Sequence, residues 1–150
     1  MIFFAPNVNS YRRLIPDWSA PTNVEWGMDN RTVGLRVPIS DKKNTRIENR
    51  IAGADTNPYL VVAASLAAGL AGIEEKLQPR DPICTDHYQE NLEFPKNLYE
   101  ALGELETPNN TFKYLDHNFV KAYKLVKECE LADYSKVISS WERKFLLLSV

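Results

Sequence analysis

Arg46, Glu48 and Arg50 stand at alternate positions of one short segment. On an extended strand successive side chains point to opposite faces, so these three would form an arginine–carboxylate–arginine row on one face. Two chemistries suit such a row. It can be a surface ion-pair ladder, contributing about 1 kcal/mol or less per pair. It can instead be a site in which rigid guanidinium forks hold anionic oxygens while the carboxylate takes a cation or a metal ion. Spacing alone leaves both open.

The distribution of cations bears on the choice. The first fifty residues carry eight basic and five acidic side chains, and the remaining hundred carry ten and fifteen, which sums to the net charge of −2. Six arginines (12, 13, 31, 36, 46 and 50) fall in that first third, but only two lysines (42 and 43). Arginine binds carboxylates and phosphates bidentately, whereas lysine mostly solubilises. An arginine bias without intermingled lysines points to recognition of small anions.

Other function classes find little support. A composition of 44% hydrophobic and 25% charged residues is that of a globular domain, with no basic tail for nucleic acid. Residues 58–73 carry no charge, yet the run is shorter than a membrane span needs and is rich in Ala and Gly. Cys84 and Cys129 make no disulfide framework and fit a reducing, cytoplasmic setting. Neither has a local signature joining it to His87 or His117, so both are expected to be inert. The Asn-x-Thr triplets at 30 and 109 are read as chance matches.

Residues 1–56 read as strands and loops, the arginine row among them. Residues 32–37 and 46–51 alternate with period two around a polar turn, which predicts a β-hairpin with Leu35, Val37, Ile47 and Ile51 turned toward the core. Asn57-Pro58 opens a predicted helix over 58–77 that is apolar nearly all round and is expected to be buried. A short helix is predicted from Asn97 to about Leu105, with Glu100 completing a capping box. An amphipathic helix follows over about 118–138, with Phe119, Val120, Tyr123, Val126 and Leu131 on its apolar side. Trp141 and the Phe145-Leu-Leu-Leu run are too apolar for a free tail and are expected to dock on other structure. The fold class predicted is α+β, with short antiparallel strands in the first third (1–56), a buried helix (57–78) and a helical tail (97–150).

Five segments then occur in order: Asn9-Ser-Tyr-Arg-Arg-Leu, Trp26-Gly-Met-Asp-Asn-Arg-Thr, Leu35-Arg-Val-Pro, Arg46-Ile-Glu-Asn-Arg and Ala54-Asp-Thr-Asn-Pro-Tyr-Leu. In order and spacing they resemble the C-terminal part of the glutamine synthetase catalytic domain, strongly over 7–80 and more weakly beyond. The resemblance implies an ATP-dependent ligase that phosphorylates the glutamate side chain and lets an amine or ammonia displace the phosphate. Carried over by motif, Arg13 and Arg50 would hold glutamate carboxylate oxygens. Arg31, Arg36 and Arg46 would serve ATP, with Arg31 also catalytic at the phosphoryl group in transfer. Glu48 would ligate Mg²⁺ or Mn²⁺. The family's homo-oligomeric ring would be the setting, with no nucleic-acid or membrane partner.

Two departures qualify the resemblance. The family's other metal ligands, and its remaining glutamate- and ATP-binding strands, belong to sequence N-terminal to these motifs. The chain is therefore expected to be part of a longer one and inactive alone. In the loop after Arg13, ammonia-using members carry a Glu two residues before the Pro; here Ser19 stands there, with Asp17 nearby. A neutral hydroxyl cannot attract ammonium. With the wording of the 46–55 segment, this favours the γ-glutamylpolyamine synthetase branch over a true glutamine synthetase. A detached, non-catalytic interaction module is the alternative from another class.

Overall fold

The computed structural model describes residues 1–16, 18–87, 94–105 and 113–149. Among the described residues the elements are a 3₁₀ turn (Ser10–Arg13), strands β1 (Trp26–Met28), β2 (Leu35–Val37) and β3 (Glu48–Asn49), and helices α1 (Pro58–Glu74), α2 (Leu98–Glu104), α3 (His117–Ser135) and α4 (Ser140–Phe145). The class is α+β, as expected.

The sheet has the order β1-β2-β3. β2 and β3 pair antiparallel, with Leu35 opposite Asn49 and Arg36 opposite Glu48, so the expected hairpin is present in short form. A strand that was not anticipated lies on its other side. β1 pairs parallel with β2, Gly27 opposite Arg36, across only the six residues 29–34. Parallel neighbours usually need a crossover of a dozen residues or more. The short return uses a left-handed residue, Asp29 at φ 48°, whose N–H donates to the Val37 carbonyl (2.8 Å).

Residues 80–87 are stitched alongside β1. The Ile83 N–H donates to the Trp26 carbonyl (2.9 Å), and Asn30 Nδ2 donates to the Ile83 and Thr85 carbonyls (3.1 and 2.9 Å). Buried Glu25 accepts from Arg80, and buried Asn23 donates to the carbonyls of Thr32 and His87. Each polar group taken from water here has a partner, as burial requires.

Helix α1 forms where Asn57 and Pro58 predict it. The Asn57 side chain accepts from the N–H groups of Tyr59 and Leu60 (3.0 and 3.3 Å), which fill two of the helix's orphan donors. Its end is a Schellman arrangement: Leu77 N–H reaches the Gly72 carbonyl (2.9 Å), Lys76 N–H reaches Ile73 (3.1 Å), and Lys76 takes φ 54°. The expected all-round burial is not found. Only the small-residue edge (Ala64, Ala67 and Ala71) is buried, because small side chains let the helix backbone approach its neighbours closely. Tyr59, Val62, Leu66, Leu70 and Ile73 point outward.

The core sits elsewhere than expected. Ile2, Phe3, Ala5, Tyr11 and Leu14 of the first fourteen residues pack against Leu98, Ala101 and Leu102 of α2, with Phe119, Tyr123 and Leu131 of α3 around them. Phe3 lies 4.9 Å from Tyr123, ring to ring. Of the expected core residues, Ile51 and Val37 are half-buried, while Leu35 and Ile47 are exposed. Leu35, Val37 and Ile47 instead line an open apolar cleft of about 900 Å³ shared with Ile73 and Leu77 at the end of α1.

Asn97 caps α2 by accepting from Glu100 N–H (2.9 Å), but the return bond goes from Lys96 N–H to Glu100 (2.8 Å), one residue before the cap. Asp116 caps α3. Val120 is buried, and Phe119, Tyr123 and Leu131 pack on the core, so of the expected apolar side of α3 only Val126 is exposed. A full capping box, Ser139 with Glu142, starts α4. Trp141, Phe145, Leu146, Leu147 and Leu148 stay exposed, and among the described residues nothing covers them.

Candidate functional site

The residues singled out by type and spacing fall into two adjoining groups. The first gathers on the sheet. Arg36 in β2 and Glu48 in β3 are cross-strand partners, which puts their side chains on one face. Arg36 Nη1 donates to Glu48 Oε2 (2.8 Å) and Nη2 to Asp29. These bonds, first from Asp29 and then from Glu48, hold the Arg36 guanidinium above its ordinary pKa. Arg46 precedes β3 and reaches Glu48 more loosely, at 3.8 Å. Glu48 is thus bracketed by two guanidinium groups.

Arg50 belongs to the second group, so the expected row of three divides. Its backbone continues the ladder, Arg50 N–H to Gly34 carbonyl (2.9 Å). Its side chain donates to the carbonyls of Arg31 and Ser19, the latter at 2.9 Å. Arg50 therefore ties the chain at Ser19 to the loop carrying Arg31. The Arg31 side chain is exposed at that junction. β3 ends at Asn49, so Arg50 follows directly on the strand.

Arg13 ends the 3₁₀ turn and lies half-buried beside the chain that follows Arg50. Its Nη2 donates to the Ile51 carbonyl, and its buried Nε has no hydrogen-bond partner among the described residues. Burial lowers the Arg13 pKa; Asp55 works against that shift and Arg50 adds to it. A Cβ on Gly53 would stand 3.2 Å from Arg13 Nε and 2.5 Å from Asp55 Oδ1, so the missing side chain makes room for both.

Sequence reasoning assigned no role to Asp29 or Asp55. Both stood inside the ordered segments, but their contacts depend on where the chain returns. Glu48 is the one metal-ligand candidate from the sequence. Among the described residues no group of three His, Cys, Asp or Glu side chains could hold a metal ion. A half-buried carboxylate flanked by arginines fits one ligand of an ion whose charge is shared with phosphate oxygens, since Mg²⁺ is usually held by one or two carboxylates together with water and phosphate.

A fold with a short three-stranded sheet, small-residue helix and arginine-lined edge matches a known catalytic architecture. Residues 1–146 match the model of the glutamine synthetase catalytic domain, and the chain belongs to that family. Two similar relatives are γ-glutamylputrescine synthetase PuuA of Escherichia coli (strain K12), 41% identical over 148 residues, and glutamate–isopropylamine ligase of a Pseudomonas species, 41% identical over 143. They are covered by 98% and 93% of this chain, and each over 31% of its own length. The glutamine synthetase of Methanocaldococcus jannaschii is 37% identical over 152 residues, with 95% of this chain and 34% of the relative covered. A solved structure of ligand-free GmaS superposes with a TM-score of 0.81 at 32% identity, over 98% of this chain and 34% of that one. The chain thus spans about a third of the length of the relatives it matches.

Proposed function

We propose that this chain supplies the arginine wall of an ATP-dependent ligase that joins glutamate to an amine through γ-glutamyl phosphate. The observation that carries the reading is the bracketing of Glu48 by Arg36 and Arg46 on the sheet, with Arg13 and Arg50 adjoining, in a chain of this family. The γ-carboxylate of glutamate attacks the terminal phosphorus of ATP, ADP leaves, and the amine nitrogen then displaces phosphate from the acyl phosphate. Charge must be neutralised in place on the transferring group. Arg36 and Arg46 meet the ATP phosphates, and Arg31 meets the phosphoryl group in transfer. Arg13 and Arg50 hold glutamate oxygens. A Mg²⁺ or Mn²⁺ ion bound at Glu48 would screen the phosphate oxygens.

The rest of the machinery is assigned to the remainder of a longer protein, assembled as a ring of like subunits. The outward apolar side of α1 and the open cleft support packing against such neighbouring structure. Residues 1–150 alone are accordingly expected to be inactive.

The amine branch is favoured over ammonia. Ser19 offers no charge for ammonium, and its carbonyl is held by Arg50. Two of the similar relatives are named for putrescine and isopropylamine. The glutamine synthetases among the relatives support the second reading, a true glutamate–ammonia ligase. ADP release by the full-length protein with glutamate separates them: putrescine or another primary amine should exceed ammonium. Preference for ammonium would give the second reading, and no turnover with any amine would leave a non-catalytic interaction module.

A further inference from the structure

Asp55 lies between α1 and the β3 segment, and nothing in the reaction requires it to touch substrate. Its surroundings are nonetheless specific. Ser10 Oγ donates to Asp55 Oδ2 at 2.5 Å, and Asn7 Nδ2 donates to the same oxygen at 2.9 Å. Ser10 Oγ also accepts from the Asn7 N–H (2.9 Å), and the Ser10 N–H donates back to the Asn7 carbonyl (3.0 Å). The carboxylate thus closes a turn over residues 7–10, and Ser10 is the first residue of the 3₁₀ turn that ends in Arg13.

The opposite wall is equally fixed. Gly53 N–H donates to the Phe4 carbonyl (2.9 Å), and Thr56 Oγ1 donates to the Gly53 carbonyl (2.7 Å). The stretch 53–56 is therefore tied to the N-terminal core on one side and to its own turn on the other. A Cβ at 53 would crowd the Asp55 carboxylate and the Arg13 guanidinium, and glycine leaves that space to them. From α3, buried Lys127 reaches Asn7 Oδ1 at 3.5 Å, which links the helical layer to the same cluster.

We propose that Asp55 is a positioning residue for Arg13: its carboxylate seats the turn that carries Arg13 and attracts the guanidinium, fixing where that group meets glutamate. The proposal rests on the glutamate-binding role given to Arg13 above. The donors aimed at Asp55 favour its charged form, and the charge in turn favours protonated, correctly placed Arg13 despite burial. A purely structural Asp55 would affect folding and all kinetic constants alike. A positioning Asp55 acts on glutamate selectively.

Steady-state kinetics of the full-length enzyme provide the test. Asp55→Ala should raise the glutamate KM roughly tenfold, the size expected when a charge-assisted hydrogen bond is lost, with kcat and the ATP KM within about twofold. Asp55→Asn, which keeps one acceptor oxygen, should fall between. In an Arg13→Lys background, Asp55→Ala should add little, because the group it positions is already altered. If Arg13→Lys raises the glutamate KM and Asp55→Ala does not, the positioning role is overturned while the glutamate reading stands. If Arg13→Lys leaves the glutamate KM unchanged, the reading of Arg13 fails and the positioning role with it. Should Asp55→Ala not fold, Ser10→Ala removes the shortest bond to Asp55, together with the Asn7 N–H bond to Ser10 Oγ, and gives the same comparison.

Discussion

Arg36 and Glu48 face each other across β2 and β3, with Arg36 Nη1 2.8 Å from Glu48 Oε2, and Asp29 takes the other end of the same guanidinium. Glu48, the proposed metal ligand, is also Arg36's partner, and removing it should disturb both roles. Glu48→Ala in the full-length enzyme is expected to raise the Mg²⁺ concentration needed for half-maximal activity. It should also lower kcat on the order of a hundredfold, the usual scale for loss of one preorganised electrostatic group. Glutamate KM should move little. A variant with unchanged metal requirement and kcat would return Glu48 to a surface ion pair.

Arg50 makes a different case. Its guanidinium holds the carbonyls of Arg31 and Ser19, which belong to two separate loops. Arg50→Ala should therefore raise the glutamate requirement and also lower stability by about 1–3 kcal/mol, as expected for unmade bonds to a charged donor. Arg50→Lys should restore part of the stability, since an ammonium can reach one carbonyl, but less of the affinity, since it cannot reproduce the fork. Denaturant midpoints and glutamate KM, measured together, check both halves. Full retention of stability in Arg50→Ala would remove the loop-clamp role.

Much of this was legible in the residues because it is local. Asn57-Pro58 announces α1, Asn97 announces α2, and the alternation of 32–37 and 46–51 gives the β2–β3 pair and hence the Arg36–Glu48 neighbourhood. The rest depends on chain returns that no local pattern encodes. β1 joins β2 in parallel through a short return in which Asp29 adopts a left-handed conformation. Ser10 and Asp55 meet across 45 positions. Hydropathy marked α1 as buried, but it could not say which side would be covered; here that is the alanine edge. The first fourteen residues looked like loop and form the centre of the core because their apolar side chains meet α2 and α3, far along the chain.

The outward side of α1 bears directly on behaviour in solution. Tyr59 and Ile73 are 83% and 77% exposed, and Leu148 beyond α4 is 94% exposed. Contiguous exposed apolar surface favours association. A protein consisting of residues 1–150 should self-associate at micromolar concentration and bind a hydrophobic dye. Replacing Leu66, Ile73 and Leu77 by Gln should reduce both, as read by light scattering and dye fluorescence. If the triple variant scatters as strongly as the parent, the α1 face is not the surface responsible.

Asp55 also predicts how stability responds to acid. Burial alone would raise its pKa, but the bonds from Ser10 and Asn7 and the charge of Arg13 outweigh that and leave it below the ordinary value of 3.8. The folded state therefore holds the proton less tightly than the unfolded state. Its contribution is complete above the ordinary carboxylate pKa and is lost as pH falls through the depressed one. Asp55→Asn removes this titration. The difference in Tm between the parent and Asp55→Asn should be constant from neutral pH down to about pH 5 and then shrink as the parent's carboxylate takes up its proton. A difference that grows in acid would mean that burial dominates and that the Ser10–Asp55 bond does not favour the charged form.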